Sequence, residues 1–282
     1  RVTYVQHFKA NSLEQATEFS DHLFVKVSNE GNVIHVDAGA ERKSPWMESP
    51  FSARLEINVV VPESLAVQID TWSFDVTTSG PFSDVAIVNE FGKIKVSDVY
   101  NDISIRTVNS RVALTDITGA LDVTTSNNTI FARNINTGDG IARFTNEYGE
   151  LEISEFTGRI HVEASYTPLD LKGVRLKSGE SRLATTYGTI GAEIIELNDA
   201  ELFVRNNFSN VYLALPDDVE SEFDLNVDTE GRIYVHDIPI VPEEVDRSHL
   251  LARTDNPASR VRVDIDGIGT VDLKGKKFYG VP

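Results

Sequence analysis

Apolar residues recur in pairs seven positions apart through most of this chain: Ile69/Val76, Ile87/Ile94, Ile105/Val112, Val123/Ile130, Phe144/Leu151, Val162/Leu169, Leu183/Ile190 and Val204/Val211. The first members follow one another at steps of 18 or 21 residues. Two positions before each pair stand Val67, Val85, Ile103, Leu121, Ala142, Ile160, Ser181 and Leu202, and two after it come Thr78, Val96, Leu114, Ala132, Ile153, Leu171, Ala192 and Leu213. A further apolar position, five after the pair, is filled by Val99, Ile117, Ile135, Phe156, Val174 and Ile195. Apolar residues alternating with polar ones mark strands with one buried face, and a fixed long period marks stacked repeats. The prediction is an all-β, single-domain β-solenoid over residues 1–282, a parallel β-helix-like stack with coils of 18 or 21 residues.

Energetics explain why such units must stack. The inward aliphatics of one coil supply on the order of 6–15 kcal/mol of gross burial. Ordering its backbone costs roughly 1–2 kcal/mol per residue, which is more over about 20 residues. Stacked coils share hydrogen-bond ladders about 4.8 Å apart and bury each other's apolar rows. The pattern divides the domain into irregular N-terminal coils and a loop (1–54), regular coils (55–238), a loop (239–258) and a closing coil with a tail (259–282). Looser copies of the repeat occur at Val27/Ile34, Leu225/Ile233 and Val263/Val271.

The six residues between the paired positions read as a turn. Its fifth place holds Gly92, Ser110, Asn128, Gly149, Thr167, Gly188 or Ser209, where Gly and Asn suit a left-handed corner. Its fourth place holds an aromatic row, Phe91, Tyr148, Tyr166, Tyr187 and Phe208, with Asn109 and Asn127 between. Facing solvent, that row suits sugar rings or a partner's apolar surface; lying flat, it shields the corner's backbone. The other corner stacks Asp98, Asp116, Asn134, Glu155 and Gly173 in register.

The stretches "TTSNNTIFARNI", "TNEYGELEISEF" and "TTYGTIGAEI" resemble the repeated phrase T-x-S-G-D-I-x-V of the bacterial putative-adhesin family. "VVVPESLAVQIDTWSFDV" resembles that family's entry into its repeats, and "LPDDVESEFDLNVDTEGRI" and "ASRVRVDIDGIGTVDLKG" its closing phrases. Several coils replace the phrase's Gly by Ser, Asn or Thr, and an aromatic often precedes it. The resemblance spans roughly residues 55–275 and implies a β-solenoid of adhesin-like character with no catalytic residues to carry over.

Charge and composition narrow the partners. The net charge is −18 and there is no cysteine, which excludes disulfides and thiol chemistry. An acidic field repels nucleic acid, which needs a basic footprint. No run approaches the ~18 apolar residues of a membrane helix. The chain begins at Arg1 rather than Met, and export to the periplasm, cell surface or medium is expected. His7, His22, His35, His161, His236 and His249 show no ligand spacing, so neither metal nor cofactor is expected. Asp98, Asp116 and Glu155 align on an exposed corner with no row of Arg or Lys beside them, so no catalytic step is expected.

Two excursions interrupt the repeat: residues 38–53, with Trp46, Met47 and Phe51 as a candidate binding loop, and 239–258, with Leu250 and Leu251. Their apolar residues imply docking, onto the solenoid's ends or flank or onto a partner. The reading is a non-catalytic, adhesin-like surface or envelope binding and scaffold protein with a protein or glycan partner. Its rivals are a structural subunit assembling through the solenoid ends into a homo-oligomer or filament, and a polysaccharide-cleaving β-helix enzyme.

Overall fold

A computed structural model describes residues 1–63 and 65–278. The chain divides into two compact units, Arg1–Pro62 and Glu63–Pro282. Strand accounts for 67% of the chain and helix for 3%.

The first unit is built on antiparallel pairs. Strand Val2–Lys9 pairs with Ser52–Val59, and Leu23–Glu30 forms a hairpin with Val33–Ala40. Between them lies the short helix Leu13–Asp21, whose entry is fixed by Ser12: its Oγ accepts the Gln15 N–H at 3.2 Å. Phe19 on this helix is fully buried. The looser repeat copy at Val27/Ile34 is therefore not a coil. The two residues stand on opposite strands of the hairpin, and both are exposed.

The coil pattern belongs to the second unit, a β-solenoid of about 7 turns. Val85, Ile87 and Asn89 lie beside Ile103, Ile105 and Thr107, and Ile105 lies beside Val123. Phe144 lies beside both Val123 and Val162, and Leu183 beside both Val162 and Val204. All these contacts are parallel and in the register of the repeat. The paired positions are buried from Val76 to Val211, and Ile69, on the first strand, is partly buried. Ser181 fills an apolar place while fully buried, because its Oγ accepts the Ile160 N–H of the preceding coil at 3.2 Å.

Two details depart from the sequence pattern. Ile194, not Ile195, enters the core: the ladder to Val174 shifts register there, and one residue of slip exchanges the faces of a strand. The chain order of the last coils also differs from their spatial order. Strand Ser259–Asp266 inserts between Ala200–Asn207 and Ser221–Val227, and Thr270–Lys276 inserts between Val211–Pro216 and Arg232–His236. The closing coil is thus internal, and residues 221–236 form the outermost layer of the stack.

The excursion at 239–258 covers part of that outer layer. His249–Arg253 pairs antiparallel with Ser221–Val227, and Val241–Val245 pairs with His249–Arg253. Pro242, Glu243 and Glu244 then occupy the new outer strand, a sequence poorly suited to further strand pairing. The turn is braced by Asp246, whose Oδ1 accepts the N–H groups of Ser248 and His249, each at 2.7 Å. Those two bonds hold the Asp246 carboxyl below its usual range.

Candidate functional site: the aromatic corner

The turn that carries the aromatic row is braced from inside. Asn89 Nδ2 donates to the carbonyls of Phe74 and Phe91, both at 3.1 Å, and to Ser110 Oγ. Asn146 Nδ2 reaches the carbonyls of Asn128 and Glu150, and Asn206 Nδ2 those of Gly188 and Asn210. Thr185 Oγ1 donates to the Thr167 carbonyl. These buried side chains, at the second place of the turn, donate to corner carbonyls and tie the turn to the neighbouring coil.

Left-handed backbone falls at the fourth place of the turn rather than the fifth. Asn127, Tyr148, Tyr166, Tyr187 and Phe208 have φ of 60°, 56°, 50°, 59° and 65°. The earlier coils differ: Gly92 has positive φ at the fifth place, and the turn with Asn109 and Ser110 has none. At Gly149 and Gly188 the fifth place needs glycine for a different reason. A Cβ there would sit 1.9 or 2.0 Å from the carbonyl oxygen of Asn128 or Thr167 in the preceding coil. Non-glycine residues in this region lie roughly 1–2 kcal/mol above their right-handed forms, so four large rings held there are an unusual use of the corner.

The rings form a ladder. Successive centroids of Tyr148, Tyr166, Tyr187 and Phe208 lie 4.9, 5.0 and 5.2 Å apart, with interplanar angles of 9°, 18° and 8°. Each ring is about half exposed, at 53, 49, 51 and 54%. The far face of Phe208 meets Gly267, where a Cβ would fall 2.5 Å from the ring. The ring faces are spent on one another, and the ladder offers water its edges and three phenol hydroxyls. Phe91 stands apart from it: Asn109 and Asn127 intervene, linked by a side-chain hydrogen bond at 3.4 Å, and Phe91 packs edge-on against Trp72 at 5.9 Å. Trp72, exposed in the turn before Phe91, is an addition that the repeat template did not single out.

The other candidate residues are placed differently. Trp46 and Phe51 pack on Phe19 with centroids 5.4 and 6.0 Å away, and Phe8 joins them at 6.3 Å. Of the candidate loop, Met47 is the exposed member. Asp98, Asp116, Asn134, Glu155 and Gly173 also have left-handed φ, between 53° and 65°. There the polar side chains tie to neighbours: Ser79 Oγ donates to Asp98, Asn134 Nδ2 to Asp116, and Arg133 Nε to Glu155 at 3.2 Å. The Glu155 carboxylate raises the pKa of the Arg133 guanidinium, through its hydrogen bond first and its charge second.

A basic file runs along outward positions of the stack. Arg143, His161, Arg182, Phe203 and Arg262 are successive neighbours on outward positions, and Arg182 and Arg262 flank the Phe203 ring at 5.2 and 5.7 Å. Carboxylates offset it: Glu180 binds Arg182 at 2.9 Å and Asp264 binds Arg262 at 3.0 Å. The hairpin also gathers Glu244, Asp246 and His249 with ligand atoms within 4.8 Å of one another, and Asp224 takes the other side of the His249 ring at 3.1 Å. Linear spacing hides that grouping because the turn creates it.

No family model matches the chain, and no curated protein does. A solved structure described as a putative cell adhesion protein from Clostridium sporogenes aligns over 92% of this chain and 78% of its own, at 8% identity and a TM-score of 0.23.

Proposed function

We propose that this protein is an exported, non-catalytic surface or envelope protein that holds a partner against the aromatic corner of a stiff solenoid. The observation that carries this reading is the exposed ladder of Tyr148, Tyr166, Tyr187 and Phe208, kept at backbone positions where glycine is cheaper. Backbone held in a sparsely populated region points to a function for the side chain placed there. The stack supplies rigidity, because the coils that carry the ladder are each packed on both faces. No described helix is long and apolar enough to cross a membrane.

The test is retention of the purified chain on bacterial envelope fragments. The double variant Tyr148→Ala/Tyr187→Ala is expected to lose about tenfold in affinity, the equivalent of ~1.4 kcal/mol. Equal retention of variant and parent would remove the ladder from the account. The reading includes no chemical step, and incubation with acidic polysaccharides is expected to release no unsaturated sugars.

A second reading rests on the strand Arg232–His236. Among the described residues it pairs only with Thr270–Lys276, so its outer edge is open to another strand. Light scattering that rises with protein concentration, and falls when Tyr234 is replaced by Pro, would favour assembly through this end.

A further inference from the structure

The ladder is flanked by an uncharged band, in a protein whose residues are 25% charged and whose net charge is −18. The third and sixth places of the turn hold Ser165 and Pro168 beside Tyr166, Thr186 and Thr189 beside Tyr187, and Asn207 and Asn210 beside Phe208. Carboxylates stand at the two ends, as Glu147 and Glu150 beside Tyr148 and as Asp266 beside Asn207, where Arg205 pairs with it at 2.7 Å. Among the described residues, the hydroxyls of Tyr148, Tyr166 and Tyr187 make no hydrogen bond, and neither do the side chains of Ser165 and Thr186. The corner therefore presents a row of three free phenols beside the free hydroxyls of Ser165 and Thr186, on coils whose stacked rings lie 4.9 to 5.2 Å apart.

From this geometry, and resting on the binding role proposed above, we infer that the partner is a neutral, unbranched carbohydrate chain lying along the solenoid axis over Tyr166, Tyr187 and Phe208. Ring edges carry the positive part of the aromatic quadrupole, so they meet oxygen atoms rather than C–H faces. A polyhydroxylated chain brings oxygens in an axial repeat and satisfies the phenols, the hydroxyls of Ser165 and Thr186 and the Asn207 amide together. An apolar protein surface would bury those same groups without partners, which is unfavourable. An acidic polysaccharide would meet Glu147, Glu150 and the chain's negative field.

Tyr166→Phe/Tyr187→Phe separates this inference from a packing effect, because it removes two hydroxyls and keeps the stack. Calorimetry with the full chain would use unbranched oligomers of glucose and of N-acetylglucosamine, with oligogalacturonate as the acidic counterpart. The expected result is binding of a neutral oligomer, weakened about tenfold or more in the double variant, one to two hydrogen bonds' worth, and unchanged in Asp98→Asn. Preference for oligogalacturonate, or equal affinity in the double variant, would overturn it. So would ladder-dependent retention on envelope fragments with no binding of any neutral oligomer, a result that leaves the binding role standing. If envelope retention does not depend on the ladder, the binding role itself falls.

Discussion

The two corners of the coil solve one backbone problem with opposite chemistry. Both place non-glycine residues at positive φ, coil after coil. At the Asp98–Glu155 corner the residues are Asp, Asn and Glu, which tolerate or brace that conformation through short polar contacts. At the other corner they are Tyr and Phe, which gain nothing locally from the left-handed region. What offsets their cost is ring-on-ring stacking between coils, worth roughly 0.5–1.5 kcal/mol per pair beyond area burial. Polar residues at a corner are a common structural device. Exposed rings that depend on their neighbours need a reason beyond the corner itself, and recognition supplies one.

The sharpest way to break this comparison is to weigh both corners against the interior that holds them together. Ile105→Ala should cost 2–5 kcal/mol, the usual range for emptying a buried site of this size. Leu273→Ala should cost as much, because Leu273 is enclosed between Leu213 and Val235. A much smaller loss at Leu273 in chemical denaturation would contradict the inserted order of the last strands.

Next in size is Gly188→Ala, whose new methyl would meet the Thr167 carbonyl 2.0 Å away. The expected loss is about 1–3 kcal/mol, typical of overpacking, and the same measurement reads it. Smaller still is a contrast at one ring. Tyr166→Ala removes two stacked contacts, for about 1–3 kcal/mol, whereas Tyr166→Gly recovers roughly 1 kcal/mol by relaxing the left-handed backbone. Glycine melting below alanine would mean that the corner does not impose that conformation.

The smallest effect concerns the capping hairpin. The Asp246 carboxyl titrates lower in the folded chain than in the unfolded one. Its stabilisation is present above the unfolded value of about 4 and is lost as pH falls through the lower folded value. Amide exchange at Ser248 and His249, corrected for intrinsic rates, should therefore show protection falling below about pH 4. Asp246→Asn should remove most of that dependence.

How far the sequence reveals all this depends on which force decides each feature. The paired apolar positions are legible because burial leaves them no alternative, and the structure buries nearly all of them. The inserted closing coil is not, since an Ile or Val row stacks equally well on any coil with the same alternation. Ile195 is misread for Ile194 because a one-residue slip leaves no mark in composition. The left-handed place in the turn is misassigned by one because tyrosine is an improbable occupant, while the glycine after it serves close approach to the preceding coil. Trp46 and Phe51 pass for a binding loop until Phe19 gives them a partner. The basic file of Arg143, Arg182 and Arg262 is legible once outward positions are aligned as carefully as inward ones.

The most direct test sets the two corners side by side in one assay. Retention on envelope fragments and melting temperature would be measured together for Tyr148→Ala/Tyr187→Ala and for Asp98→Asn/Asp116→Asn. The account predicts that the aromatic pair loses about tenfold in retention in preparations still fully folded, while the acidic pair retains like the parent. Equal retention in both, or a loss confined to the acidic pair, would contradict it.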